Sequence, residues 1–79
     1  MKWQVVLLGI ARDLMGCEQV TLELEPDAVV GTLRAELARA HPELAELLPS
    51  CAIAVDARYA TDSEPLHGEI AIVPPVSGG

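Results

Sequence analysis

The sequence predicts an α+β fold, a mixed β-sheet with one main helix packed on one face. Three observations carry this expectation. Strand-length apolar segments stand at both ends of the chain, at residues 3–8 and 69–73. A third segment alternates strictly, with Val20, Leu22 and Leu24 facing one way and Thr21, Glu23 and Glu25 the other. Period-two alternation marks a strand with one wet face. Between these strands lies one helical stripe, Val29, Leu33, Leu37 and Ala40, the spacing that buries one side of an amphipathic helix.

Taken in order, residues 3–8 are rich in valine and leucine and read as a strand covered on both faces, hence central in its sheet. Gly9 ends it, and residues 10–15 fit a helical turn stopped by Gly16 at a C-cap position. The alternating strand follows, pairs with the first as an antiparallel hairpin across a long connection, and stops at Pro26. Asp27 is the expected N-cap of the main helix. Pro42 forces His41 out of helical geometry and so ends that helix. A second helical turn is expected from Pro42 to Pro49, with Leu44, Leu47 and Leu48 inward. Ile53 and Val55 share one face of a short strand, residues 56–58 form a turn, and Tyr59 sits on a brief return strand. Residues 61–65 are loop-like, Gly68 marks a turn, and Ile70 and Ile72 share the inner face of the last strand. Two strands, a crossing helix and further strands, with the apolar first and last strands parallel at the centre, make the β-grasp (ubiquitin-like) arrangement. The chain divides into a β-grasp domain, 1–73, and an extended tail, 74–79.

Composition narrows the function classes. Seventy-nine residues make one domain with one small core, in a size range that buries about 60% of the unfolded surface. Hydrophobic residues form 51% of the chain, which excludes disorder. No apolar run approaches the roughly 20 residues that span a bilayer, and the N-terminus lacks a signal-peptide cleavage pattern, so a cytoplasmic protein without membrane contact is expected. A net charge of −7 repels a phosphate backbone, so nucleic acid is not an expected partner, while a basic protein surface is attracted. Cys17 and Cys51 form no CxxC pair, and they read as small, half-buried thiols. His41 and His67 stand alone, so no metal site is expected. The apolar surplus predicts a hydrophobic docking patch near the tail, around residues 44–48.

The tail is the chemically informative segment. Pro74 and Pro75 lack the N–H that a sheet ladder needs and favour an extended polyproline conformation. Six residues, Pro74-Pro75-Val76-Ser77-Gly78-Gly79, reach roughly 20 Å at about 3.1–3.3 Å each, far enough to enter another protein's active site. Gly78 and Gly79 present almost no cross-section, so a narrow tunnel admits them. A terminal carboxylate is a poor electrophile. Conversion to an acyl-adenylate activates it, and a sulfur donor then yields a thiocarboxylate. The chain offers no acid, base or nucleophile of its own for these steps, so partner enzymes must supply them.

With these residues, the sequence resembles the small subunit of molybdopterin synthase, a ubiquitin-like sulfur-carrier family. Pro74-Pro75-Val76-Ser77-Gly78-Gly79 resembles that family's C-terminal signature without a mismatch. Ala11-Arg12-Asp13-Leu14-Met15-Gly16 resembles its segment after the first strand, and Thr32-Leu33-Arg34 falls in its first helix. Ala54-Val55-Asp56 resembles its Ala-Val-Asn stretch, and residues 66–71 its turn before the last strand. Two departures stand out: the Leu66-His67-Gly68-Glu69 turn is about two residues short, and Ile72-Val73 replaces phenylalanine in a chain that has none.

The resemblance implies a mechanism. An E1-like enzyme adenylates Gly79 with ATP, and a desulfurase-derived sulfur donor makes the thiocarboxylate. The tail then enters the large subunit of a heterotetrameric molybdopterin synthase, where sulfur passes to a pyranopterin precursor. In this scheme Gly79 is catalytic, Gly78 gives slender access, and Pro74, Pro75, Val76 and Ser77 line the partner channel. No cofactor is bound, and the chain alone has no expected activity. Three alternatives stay open on the residues: a carrier for thiamine or cysteine synthesis, a ubiquitin-like protein modifier, and an interaction module with an inert tail.

Overall fold

The computed structural model of the chain describes residues 1–75. They form β1 (Lys2–Leu7), α1 (Gly9–Met15), β2 (Gln19–Glu23), α2 (Val30–Ala40), β3 (Ala52–Val55), β4 (Arg58–Ala60) and β5 (Ile70–Val73), with two 3₁₀ turns, Pro42–Leu44 and Leu48–Ser50, between α2 and β3. The sheet order is β2-β1-β5-β3-β4. β1 and β5 run parallel, and every other neighbouring pair is antiparallel. This is the mixed sheet that the two apolar end strands predicted.

Because side chains alternate across a strand, register decides what reaches the core. Val20, Val5, Ile70 and Val55 form one row across four strands, and Leu7, Ile72 and Ile53 form the next. α2 lays Val30, Leu33 and Leu37 over these rows, and all of them join one cluster with Leu22, Leu44, Leu48 and Leu66. The described residues hold no buried charged or polar residue, so the core is held by apolar packing alone.

Five local expectations are corrected. β1 is central but not covered on both faces: Lys2 and Gln4 are exposed and Val6 is half-buried. The middle position satisfies β1's hydrogen bonds on both sides, whereas only one helical layer exists to cover a face. Asp27 does not cap α2, which starts at Val30 with Val29 in the cap position and no side-chain cap. The 61–65 loop does that work instead, since the Val30 and Gly31 N–H groups donate to the carbonyls of Glu64 and Asp62 at 2.9 and 2.8 Å. The buried stripe is accordingly Val30, Leu33 and Leu37, while Val29 is half-buried and Ala40 exposed. The turn after Pro42 splits in two, and Pro49 lies inside the second 3₁₀ turn rather than closing a single one. The cysteines differ from each other: Cys17 is exposed and Cys51 buried.

Arg34 fastens the helix to the segment after it. Its guanidinium donates to the carbonyls of Leu48 and Cys51 at 2.6 and 2.8 Å and also reaches Asp62 Oδ1 at 3.1 Å. One side chain thereby gives the Cys51 carbonyl a donor and adds a second donor to the Leu48 carbonyl, which also accepts the Cys51 N–H at 3.0 Å, and partly buried carbonyls without a donor are costly. Burial raises the Cys51 thiol above its ordinary pKa, with nearby Arg34 acting weakly against that.

Leu33 is fully buried beneath the sheet. Leu33→Ala is expected to destabilise the domain by about 2–5 kcal/mol, read as a lower urea midpoint at unchanged slope.

Candidate functional site

The site is built at the outgoing end of β5. That strand is held on both sides, by β1 through Val5–Ile70 to Leu7–Ile72 and by β3 through Val55–Ile70 to Ala52–Val73. One further bond, from the Leu8 N–H to the Ile72 carbonyl at 3.3 Å, continues the parallel ladder to the edge of the body. Two flanking strands thus fix the direction in which the chain departs.

The incoming end of β5 is pinned by Asp56. The Asp56 N–H donates to the Glu69 carbonyl at 2.8 Å, and Asp56 Oδ1 accepts the Glu69 N–H at 2.9 Å. Oδ2 of the same carboxylate lies 3.1 Å from His67 Nδ1. Gly68 has φ +60°, and a Cβ there would fall 2.0 Å from Asp56 Oδ1. Only glycine fits both the left-handed backbone and the close carboxylate. The short 66–69 turn is therefore organised by a carboxylate, whose pKa is held below its ordinary value chiefly by the Glu69 N–H and then by His67.

Beyond Val73, Pro74 is half-buried and Pro75 exposed. An apolar groove lies here, formed by Leu8, Gly9 and Ile10 on one side, Leu47 from the linker between the 3₁₀ turns, and residues 73–75 themselves. Gly9 adopts φ +52°, and Pro74 Cγ is the nearest atom to its missing Cβ, at 3.9 Å. The stiff arm expected to begin at Pro74 starts with that residue seated on the body. Val76, Ser77, Gly78 and Gly79 lie outside the described residues.

Register also defines the sheet face opposite α2. Val6, Ala71, Ala54 and Tyr59 form one row there, and Val73 and Ala52 pair beside it. Among the large apolar side chains, Leu8 is 41%, Ile10 52%, Leu14 48% and Tyr59 69% exposed. The apolar surface near the tail is thus made by this face and the start of α1. It was expected around residues 44–48, but Leu44 and Leu48 are buried in the core and only Leu47 reaches the groove. Sequence reasoning passed over Leu8, although a signal was present. With Trp3, Val5 and Leu7 directed inward, period two places Val6 and Leu8 outward. Among the described residues, no group of three or more His, Cys, Asp and Glu side chains is placed to hold a metal ion, and no helix is long and apolar enough to cross a membrane.

A mixed five-stranded sheet grasping one main helix, with the last strand at its centre, defines a ubiquitin-like β-grasp protein. Comparison with known proteins agrees. The sequence model described as the ThiS family matches residues 5–79. The molybdopterin synthase sulfur carrier subunit of Chlamydomonas reinhardtii is 34% identical, with both chains covered completely. The crystal structure of SAMP1 from Haloferax volcanii superposes over the full length of both chains with a TM-score of 0.85 at 26% identity. The complex of subunits 1 and 2 of molybdopterin-converting factor from Helicobacter pylori contains a chain that matches over the full length of both with a TM-score of 0.68 at 29% identity. The chain belongs to the ThiS family.

The lowered pKa of Asp56 carries a pH signature. A carboxylate whose folded pKa lies below its unfolded value stabilises the fold above the unfolded pKa, and that contribution is lost as pH falls through the folded one. Wild type is expected to melt above Asp56→Asn at pH 7, with the gap closing below about pH 4. Thermal unfolding of the two proteins across that range measures it.

Proposed function

We propose that this protein is the sulfur-carrying small subunit of a molybdopterin synthase, acting in molybdenum cofactor biosynthesis. The observation that carries the reading is the sequence Pro74-Pro75-Val76-Ser77-Gly78-Gly79 following directly on the central strand β5. The full-length similarity to a molybdopterin synthase sulfur carrier subunit supports it, as does the likeness to a chain in a complex of two converting-factor subunits.

The chemistry resides at Gly79. An E1-like enzyme transfers AMP from ATP to the terminal carboxylate and releases pyrophosphate. The outer sulfur of a desulfurase-derived persulfide displaces AMP, and a thiol then reduces the resulting acyl disulfide to leave a thiocarboxylate. Inside the large subunit the thiocarboxylate sulfur passes to the pyranopterin precursor, water cleaves the acyl–sulfur bond and regenerates the carboxylate, and a second loaded chain completes the dithiolene. Gly78 and Gly79 pass where bulkier residues cannot, and Pro74, Pro75, Val76 and Ser77 line the partner's channel. ATP belongs to the activating enzyme, the carrier has no turnover alone, and the working assembly is a cytoplasmic heterotetramer of two small and two large subunits.

The large subunit docks on the apolar sheet face beside the tail, where Leu8, Val73 and Tyr59 surround small alanines. The chain's net charge of −7 favours a basic approach surface on these partners and speeds encounter at low salt. Exposed aromatics often carry much of the binding energy of an interface. Tyr59→Ala is expected to weaken association with the large subunit by about tenfold, with the melting temperature nearly unchanged. Titration calorimetry of the mixed subunits checks it.

Deletion of Gly79 is expected to abolish pterin conversion and leave the fold intact. The deletion moves the reactive carbonyl back by about 3.5 Å along an extended chain, and an error of roughly 1 Å already costs about 100-fold in rate. Circular dichroism melting follows the fold, and pterin conversion by the loaded complex follows the function. Intact mass adds a direct reading, because loading replaces one oxygen with sulfur. Full activity in the shortened chain refutes the role of Gly79.

A further inference from the structure

Pro74 forms part of the apolar groove at the end of β5 and rests against the start of α1. Pro74 is half-buried where Pro75, one residue on, is exposed. Its ring faces Gly9, the first residue of α1, whose φ of +52° turns the chain sharply away from β1. A side chain at Gly9 would both strain that turn and stand against the Pro74 ring. Leu47 supplies the other wall. It is half-buried and packed against the core, in the linker between the two 3₁₀ turns. The Arg34 bonds to Leu48 and Cys51 fix the segment that carries it.

We propose that Gly9 and Leu47 form a seat for Pro74 that aims the tail, making Leu47 a positioning residue for sulfur transfer; this rests on the function proposed above. The leverage is geometric. Five residues follow the seat, and an extended chain of that length reaches about 16 Å. A swing of roughly 10° at Pro74 moves such an arm's end by about 3 Å, which is wider than the tolerance of a tunnel sized for glycine. An arm already aimed meets the large subunit with less orientational freedom to lose. Once the arm is inside the tunnel, the partner's walls hold it and the seat is redundant. The seat therefore acts on productive docking rather than on the chemical step.

The test is Leu47→Ala in the full-length, thiocarboxylate-loaded protein, with Leu47→Met as the variant that keeps the wall. Releasing one backbone residue from a fixed direction corresponds to roughly a fivefold to thirtyfold change in an equilibrium. The KM for the loaded carrier in pterin conversion by the large subunit is expected to rise by that factor for Leu47→Ala with kcat unchanged, the pattern of lost uniform binding, and to return to the wild-type value in Leu47→Met. In the free protein, the nuclear Overhauser contact between Gly9 Hα and Pro74 Hγ is expected in wild type and lost in Leu47→Ala. Absence of that contact in wild type overturns the proposal without reference to activity, even if Leu47→Ala fails to fold. An unchanged KM in a folded Leu47→Ala also overturns it, as does a raised KM with the Gly9–Pro74 contact intact, because Leu47 is then touching the partner directly. Failure of loaded wild type to convert the pterin in any complex refutes the function instead and leaves the contact measurement standing.

Discussion

The parallel pairing of β1 with β5 is the constraint from which the rest of this structure follows. It joins the two ends of the sequence, Val5 to Ile70 and Leu7 to Ile72, so the sheet cannot close until nearly the whole chain is present. Parallel neighbours need a long crossover, and everything between β1 and β5 serves as one. β2 and β4 fall to the edges, α2 covers one face, and the 3₁₀ turns carry the chain from the helix to β3. Such a long-range pairing is slow to form. The stability it confers comes mainly from the two apolar rows it brings under α2.

The same pairing explains why both ends of β5 are specialised. At its start, the Asp56 carboxylate and Gly68 close a turn with no spare residue. At its end, Gly9 and Leu47 receive Pro74. Strand registers propagate by twos, so a slip at either end would send Ile70 and Ile72 to the uncovered face. The 66–69 turn is thus fastened by a side chain, and the body is kept in register by it.

Much of this was legible in the sequence because it depends on period. The parallel end strands, the main helix and the inward residues Leu7, Leu22, Leu33, Leu37 and Ile72 follow from alternation and helical spacing. What escaped depended on tertiary partners. Asp27 has the chemistry of an N-cap, yet the carbonyls of Asp62 and Glu64, about thirty positions away, reached the helix first. The unbroken apolar character of residues 3–8 signalled a central strand, and hydrogen bonding made it one, but nothing in a single strand states how many layers will cover it. Spacing placed Leu44, Leu47 and Leu48 inward, and the two 3₁₀ turns do roll Leu44 and Leu48 into the core, so the patch expected around residues 44–48 narrows to Leu47. The tail was read from the order of its residues, Pro74-Pro75 and the closing Gly78-Gly79, whereas the contact of Pro74 with Gly9 depends on the tertiary fold.

The position of β5 also bears on how such a chain avoids associating with itself. An edge strand offers a row of free N–H and C=O groups on which another chain can add a strand. Here the departing chain leaves between two occupied neighbours, with Val73 paired to Ala52 and Ile72 bonded to Leu8. The next two residues, both proline, have no N–H to offer. Copies crowded together therefore meet neither an open ladder nor a donor where the tail begins, and the apolar strand that launches it is screened from becoming the nucleus of an aggregate.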